Sequence, residues 1–137
     1  MGFWIIKTEP TTYSLDDLEQ DQRTCWDGVR NYQARNNLRL MKKGDLAMVY
    51  HSVGPKELVG IVEVTKAAYP DPTAEIGDWS AVDVKFKRRL SKKVNLSEIK
   101  ATPSLKDLAL VRQGRLSVVP VTDPQWRILL KLAHSEI

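Results

Sequence analysis

The sequence predicts a small α+β domain, a mixed β-barrel or strongly bent sheet of about five or six strands flanked by several short helices. Three observations carry that class. Short runs rich in Val, Ile, Leu and aromatic residues recur along the chain, and one of them alternates apolar with polar positions as a half-buried strand does. Between them lie segments with helical apolar spacing and polar caps. With 137 residues, 42% hydrophobic and 28% charged, the chain has the size and composition of one folded domain rather than a disordered tract.

The elements follow in order. Residues 3–7 form a compact apolar run closed by Glu9-Pro10, because Pro10 holds the residue before it extended. Ser14 and Asp17 frame a short capped helix with Leu15 and Leu18 on one side, ending near Gln20. Residues 31–41 read as an amphipathic helix with Tyr32, Leu38 and Met41 toward one side; Lys42 and Lys43 suit its C-terminus, and Gly44 can take a left-handed cap. Residues 46–50 and 58–64 flank Gly54-Pro55 as neighbouring antiparallel strands, leaving His51 and Ser52 at a strand end.

Residues 69–78, with Pro70, Pro72 and Gly77, read as the loop before the next strand. That strand, 79–86, places Val82, Val84 and Phe86 on one face and Ala81, Asp83, Lys85 and Lys87 on the other. Short helical turns at 97–100 and 104–110 precede a strand at 116–121 interrupted by Pro120. Thr122-Asp123-Pro124 then caps a helix with Trp126, Leu129, Leu130 and Ala133 at core spacing. No repeat, low-complexity tract or linker divides residues 1–137, so a single domain is expected.

Composition excludes several classes. The net charge of +4 leans toward an anionic partner without choosing one. Lys85, Lys87, Arg88, Arg89, Lys92 and Lys93 crowd one span, which suits either a nucleic-acid backbone or a solvated strand edge. Cys25 is the single cysteine, so no internal disulfide is expected, and a reducing, cytoplasmic compartment fits. The first apolar run lacks a basic lead-in and breaks at Lys7, which argues against a signal peptide or membrane span. No Walker pattern occurs, and His51 and His134 are the only histidines, so neither a phosphate-loop nucleotide site, a metal nor a cofactor is expected.

The most informative stretch is Trp26-Asp27-Gly28-Val29-Arg30-Asn31-Tyr32-Gln33-Ala34-Arg35-Asn36. Aromatic faces stack on planar ligands, while Asp, Asn and the amides around Gly28 can read the polar edge of a heterocycle. Cys25, His51 and Asp27 can also be drawn as nucleophile, base and orienter of a small hydrolase. Against this, Cys is among the most buried residue types, and nothing adjacent in sequence lowers its pKa. Trp4 and Trp126 fit core positions, whereas Trp26 and Trp79 stand at element boundaries beside Asp27, Gly28, Asp78 and Ser80, where a ring suits a ligand wall. Arg112 and Arg115 flank Gly114 before a strand, in position either to clamp an anion or to pair with an acidic neighbour.

At these residues the chain resembles the EVE-domain family of the PUA-like superfamily. The resemblance runs through Phe3-Trp4-Ile5-Ile6-Lys7-Thr8-Glu9-Pro10, the stretch from Trp26, Tyr50-His51-Ser52, Ala68-Tyr69-Pro70-Asp71 and Arg115-Leu116-Ser117-Val118-Val119-Pro120-Val121. Thr8 stands where the family often has Ser, and the loop between Pro72 and Trp79 looks short. The resemblance implies a PUA-like pseudobarrel related to YTH domains, with no catalysis and a modified cytosine or adenine in DNA or RNA as ligand. It further implies Trp26 as a cage wall with Asp27 as edge reader, and Trp79 and Tyr69 as further walls. Lys7, Glu9, Asn31, Tyr32, His51 and Ser52 are then pocket or supporting residues, and Arg112, Arg115 and Ser117 contact backbone or base. An RNA-binding module that reads shape rather than modification is the remaining alternative.

Overall fold

A computed structural model describes residues 2–135. Six strands form one sheet: β1 (Phe3–Thr8), β2 (Arg23–Trp26), β3 (Leu46–His51), β4 (Glu57–Pro70), β5 (Ser80–Asn95) and β6 (Val118–Val121). Their spatial order is β2-β5-β4-β3-β1-β6, mixed because β1 and β3 run parallel while every other pairing is antiparallel. Five helices flank it: α1 (Leu15–Asp21), α2 (Tyr32–Leu40), α3 (Leu96–Lys100), α4 (Ala109–Arg112) and α5 (Asp123–Leu132). The α+β class expected from sequence is the one observed.

Sheet curvature originates in β4 and β5. Their long ladder slips register between Leu58 and Gly60, Ile61 and Val62, Val64 and Lys66, and Lys66 and Tyr69. Each irregularity bends and twists the strand pair. The sheet therefore curls into a pseudobarrel without closing, since its two edges, β2 and β6, do not pair with each other. Pro120 fits this arrangement: it lies on an edge strand opposite Trp4, where a missing N–H costs no inner ladder bond.

Local signals account for the helix starts. Ser14 accepts the Asp17 N–H while Asp17 accepts the Ser14 N–H, a reciprocal box at α1; Thr122 and Gln125 repeat it at α5. Ile5, Ile6, Met48, Leu58 and Ile61 of the sheet belong to one buried core with Leu15, Leu18, Leu38 and Leu129 from the helices. Trp4 and Trp126 are both buried, and Trp126 stacks on Phe3 at 4.7 Å. Asp45 is buried with them, accepting from Gly2 N, Trp4 Nε1 and Lys42 N.

Several boundaries differ from the sequence reading. Residues 69 and 70 continue β4, because Tyr69 and Pro70 pair with Ala81 and Ser80, so the loop shortens to 71–79. Strand β5 runs on through the basic cluster to Asn95. Ala81, placed with the polar face, is fully buried. Helix α2 ends at Leu40 with an extended Met41, so Gly44 (φ +95°) serves the turn that follows rather than the helix cap. Ala34, Leu38 and Met41 face the core, while Tyr32 turns outward at 68% exposure.

Candidate functional site

The open seam of the pseudobarrel is a cleft of about 490 Å³. One wall comes from β2 (Thr24, Cys25, Trp26) and the loop Asp27, Gly28, Val29 and Arg30; the other comes from Lys7 and Thr8 of β1, Thr12 and Tyr13, and Ser117 before β6. These walls stand at opposite ends of the strand order. Curling alone brings them together. Helix α2 spans the gap nearby, with Asn37 Nδ2 donating to Val118 O on β6 and Arg39 Nε to Ser80 Oγ on β5. The volume falls in the usual range for small-molecule sites.

Trp26 closes β2 opposite Val82, and its ring meets Tyr13 edge-on at 6.4 Å. It is only 7% exposed, more deeply set than a residue at an element boundary suggests. Asp27 is exposed on the cleft, and its carboxylate accepts no hydrogen bond among the described residues. Gly28 adopts φ +78°, a backbone conformation that side chains disfavour, and its N–H points to Asp71 Oδ2 at 2.8 Å.

Asp71 organises the loop. Its side chain is fully buried and also accepts from Arg30 at 2.9 Å and from the Thr73 N–H and hydroxyl. Burial pushes its pKa upward, but the bonds from Thr73, Arg30 and Gly28 outweigh burial and hold it well below the usual carboxylate range. The resemblance includes Asp71 but implies no role for it. Its position after a proline was the available signal, but its partners lie in the distant loop 28–30.

Opposite, Lys7 Nζ donates to Gly114 O at 2.9 Å and lies 5.6 Å from the Tyr50 ring centre. Burial and then the charge of Lys56 lower its pKa. Ser117 borders the same wall, and its carbonyl accepts the Lys7 N–H.

The remaining expected residues stand apart from this cleft. Tyr69 lines a second cleft of about 400 Å³ with Arg23, Thr24, Cys25, Thr65 and Asp83. Its hydroxyl donates to Asp83 Oδ1 and lies 2.9 Å from Cys25 Sγ. Burial, then the Asp83 bond, push the phenol far above its ordinary range. Trp79 stacks on Tyr32 outside the cleft. Asn31, expected as a pocket or supporting residue, is the N-cap of α2, its Oδ1 accepting from Ala34 N. Glu9 is exposed, its carbonyl accepting from Thr12 and Tyr13 in a turn. Ser52 Oγ donates to Thr8 O.

His51 does not meet Cys25 as a base. Its Nε2 accepts the Leu15 N–H at 3.2 Å, and burial lowers its pKa. Burial likewise raises the Cys25 pKa, with Asp27, Asp83 and Asp71 adding to the rise against the Tyr69 bond. A thiol in that state is a weak nucleophile. Among the described residues, no three His, Cys, Asp or Glu side chains converge as a metal site.

The basic cluster is compensated. Glu63 takes Lys87 at 2.9 Å and Lys85 at 3.8 Å, Asp16 and Glu19 take Arg89, Glu98 takes Lys92 and Glu57 takes Lys93. Arg88 is half-buried on the same strand. Arg112 pairs with Asp107, the acidic-neighbour reading of that loop, while Arg115 is exposed next to Gly114.

A family model for the EVE domain matches residues 2–132. The chain belongs to the EVE-domain family. Thymocyte nuclear protein 1 of Mus musculus is 37% identical, over 98% of this chain and 75% of that protein. Atu2648 of Agrobacterium tumefaciens superposes with a TM-score of 0.95 at 38% identity, covering 98% of this chain and 94% of the other. Human THYN1, solved in complex with 5-methylcytosine-containing DNA, gives a TM-score of 0.91 at 34% identity over the whole of both chains. The fold alone is shared with the YTH domain of Zygosaccharomyces rouxii MRB1, solved with N6-methyladenosine RNA, at a TM-score of 0.60 and 16% identity over 99% of this EVE domain and 88% of the other. No described helix of the domain is long and apolar enough to cross a membrane.

Proposed function

We propose that this EVE domain is a non-enzymatic nucleic-acid-binding module that accepts a modified, methylated or hydroxymethylated, nucleobase of DNA or RNA in the seam cleft. The observation that carries the reading is the pairing in one cleft of the Trp26 wall with an Asp27 carboxylate that no described residue satisfies. Likeness to human THYN1, solved with 5-methylcytosine-containing DNA, supports the ligand class. Trp26 supplies apolar contact, Asp27 accepts from the base edge, and Lys7 and Arg115, which carry no carboxylate partner among the described residues, face the phosphates.

Extracting a base costs a few kcal/mol in a duplex and less in a single strand. Aromatic contact offsets about 1 to 3 kcal/mol per base, and phosphate contacts add salt-dependent affinity. One buried methyl contributes only about 0.8 kcal/mol, a few-fold preference, so stronger discrimination, of a hydroxymethyl group or of one base from another, falls to polar groups that the wrong base leaves unpaired. That is the work assigned to Asp27. The raised Cys25 pKa and the diverted His51 weigh against a hydrolase, and the domain acts in a compartment that holds nucleic acid.

The test is a titration with matched oligonucleotides, DNA and RNA, carrying methylcytosine, hydroxymethylcytosine, methyladenine or no modification. Preference for one modified strand is the expected result. Equal binding of all, with steep salt dependence, sinks modified-base reading and leaves a shape-reading RNA module. A Cys25→Ser variant that retains any activity toward these strands in full removes a thiol mechanism.

A further inference from the structure

Loop 71–79 returns Trp79 to the first turn of α2, where its ring stacks on Tyr32 with centroids 5.1 Å apart and planes 18° from parallel. Tyr32 is nonetheless 68% exposed. The Arg35 guanidinium lies 5.0 Å from the Tyr32 ring and 5.9 Å from the Trp79 ring. With the rings themselves 5.1 Å apart, these distances make a nearly equilateral triangle, so the cation sits beside the stack and leaves the far face of Tyr32 open. Arg35 donates to Asn36 Oδ1 and Asp78 O and has no carboxylate partner among the described residues. Arg30 joins this stack to the cleft: it lines the cleft, and its guanidinium lies 5.6 Å from the Trp79 ring.

We propose that the Tyr32–Trp79 stack is a second nucleobase platform, holding the nucleotide adjacent to the one in the seam cleft. This rests on the reading of the cleft as a base pocket. A base laid on the open face of Tyr32 adds a third layer to two rings already held parallel, so little ordering remains to be done on binding. Arg35 supplies a positive charge beside that layer, where the nucleotide's phosphate runs. An aromatic side chain of a protein partner could use the same face, but a guanidinium beside the stack with no carboxylate paired to it among the described residues, only the nearby charge of Asp78, and the continuity with the cleft favour a nucleotide. Trp79 and Tyr32 thus serve outside the pocket in which sequence reasoning placed them.

The test uses single strands carrying one 5-methylcytosine, with the neighbouring nucleotide on either side intact or abasic, titrated into wild type, Tyr32→Ala and Tyr32→Phe. Wild type is expected to lose about 5- to 150-fold in affinity when the platform's nucleotide is abasic. Tyr32→Ala loses a similar factor on the intact strand and is indifferent to the abasic one; Tyr32→Phe behaves as wild type. Unchanged binding by Tyr32→Ala, or equal weakening on intact and abasic strands, overturns the platform. An abasic penalty that persists on matched strands while none of the three modified bases is preferred over its plain counterpart instead overturns the modified-base reading and leaves the platform standing.

Discussion

The seam cleft and the basic face of β5 have opposite electrostatic designs. On β5, cations crowded in sequence meet Glu63, Asp16, Glu19, Glu98 and Glu57, so the folded surface carries far less positive field than the sequence suggests. At the seam, Asp27 is left without a partner among the described residues, while Asp71 gathers four donors from residues 28–30 and 73 and fixes the loop. Charge density in a sequence is therefore a poor guide to a binding surface. Polar groups that the fold leaves unpaired, mounted on a loop that the fold holds still, are the better one.

Removing Trp26 breaks the cleft most severely. Trp26→Ala is expected to abolish oligonucleotide binding and, because the ring is almost fully buried, to cost about 3 to 5 kcal/mol of stability. Thermal melts beside binding isotherms measure both, and Trp26→Leu, which restores apolar volume without a stacking face, should recover stability but not affinity. Binding retained by a folded Trp26→Leu protein removes Trp26 from the site.

Asp71 tests whether the loop must be held still. Asp71→Asn should cost about 1 to 3 kcal/mol and weaken binding with no contact to ligand being lost. The sign of the pH effect follows from the depressed carboxyl pKa. Its stabilisation is fully present above an unfolded value near pH 4 (~3.9) and is lost as pH falls through the lower folded value. Acid denaturation of Asp71→Asn should therefore be shallower than that of wild type. Asp45, similarly buried and held low by bonds from Lys42, Gly2 and Trp4 that outweigh burial, contributes an independent part of the same slope.

A smaller effect separates affinity from selectivity. Asp27→Ala should leave stability unchanged, since the carboxylate is exposed and takes no hydrogen bond from the described residues, and lower the ratio of hydroxymethylated to plain binding. An unaltered ratio assigns edge reading to another group. Smallest of all, Lys7→Ala and Arg115→Ala should each reduce the slope of log affinity against log salt by about 1, whereas Lys85→Ala with Lys87→Ala should leave it unchanged. A reduced slope in the Lys85 and Lys87 variant reverses the contrast between the two surfaces.

Local chemistry was legible wherever partners are close in sequence. The caps at Ser14 and Thr122, the apolar runs of β1 and β3, and the core roles of Trp4 and Trp126 all follow from neighbours within a few residues. Strand β2 was not legible. Four residues without alternation form a strand there because β5 offers them a ladder. Tyr32 fitted an apolar stripe by spacing, but Trp79 from a remote loop gives it an outer partner instead.

By itself, then, the sequence determined the α+β class, most of the strands, the capped helices and the motif around Trp26. Which motif residues share a cleft was decided by tertiary structure, because curvature from the slipped β4–β5 ladder brings β2 against β1. That curl placed Lys7 and Ser117 opposite Trp26 and Asp27, and it left Tyr69, His51 and Asn31 elsewhere. Helix and strand formation depends on neighbouring residues, whereas a cleft between sheet edges depends on the sum of bends along the whole ladder.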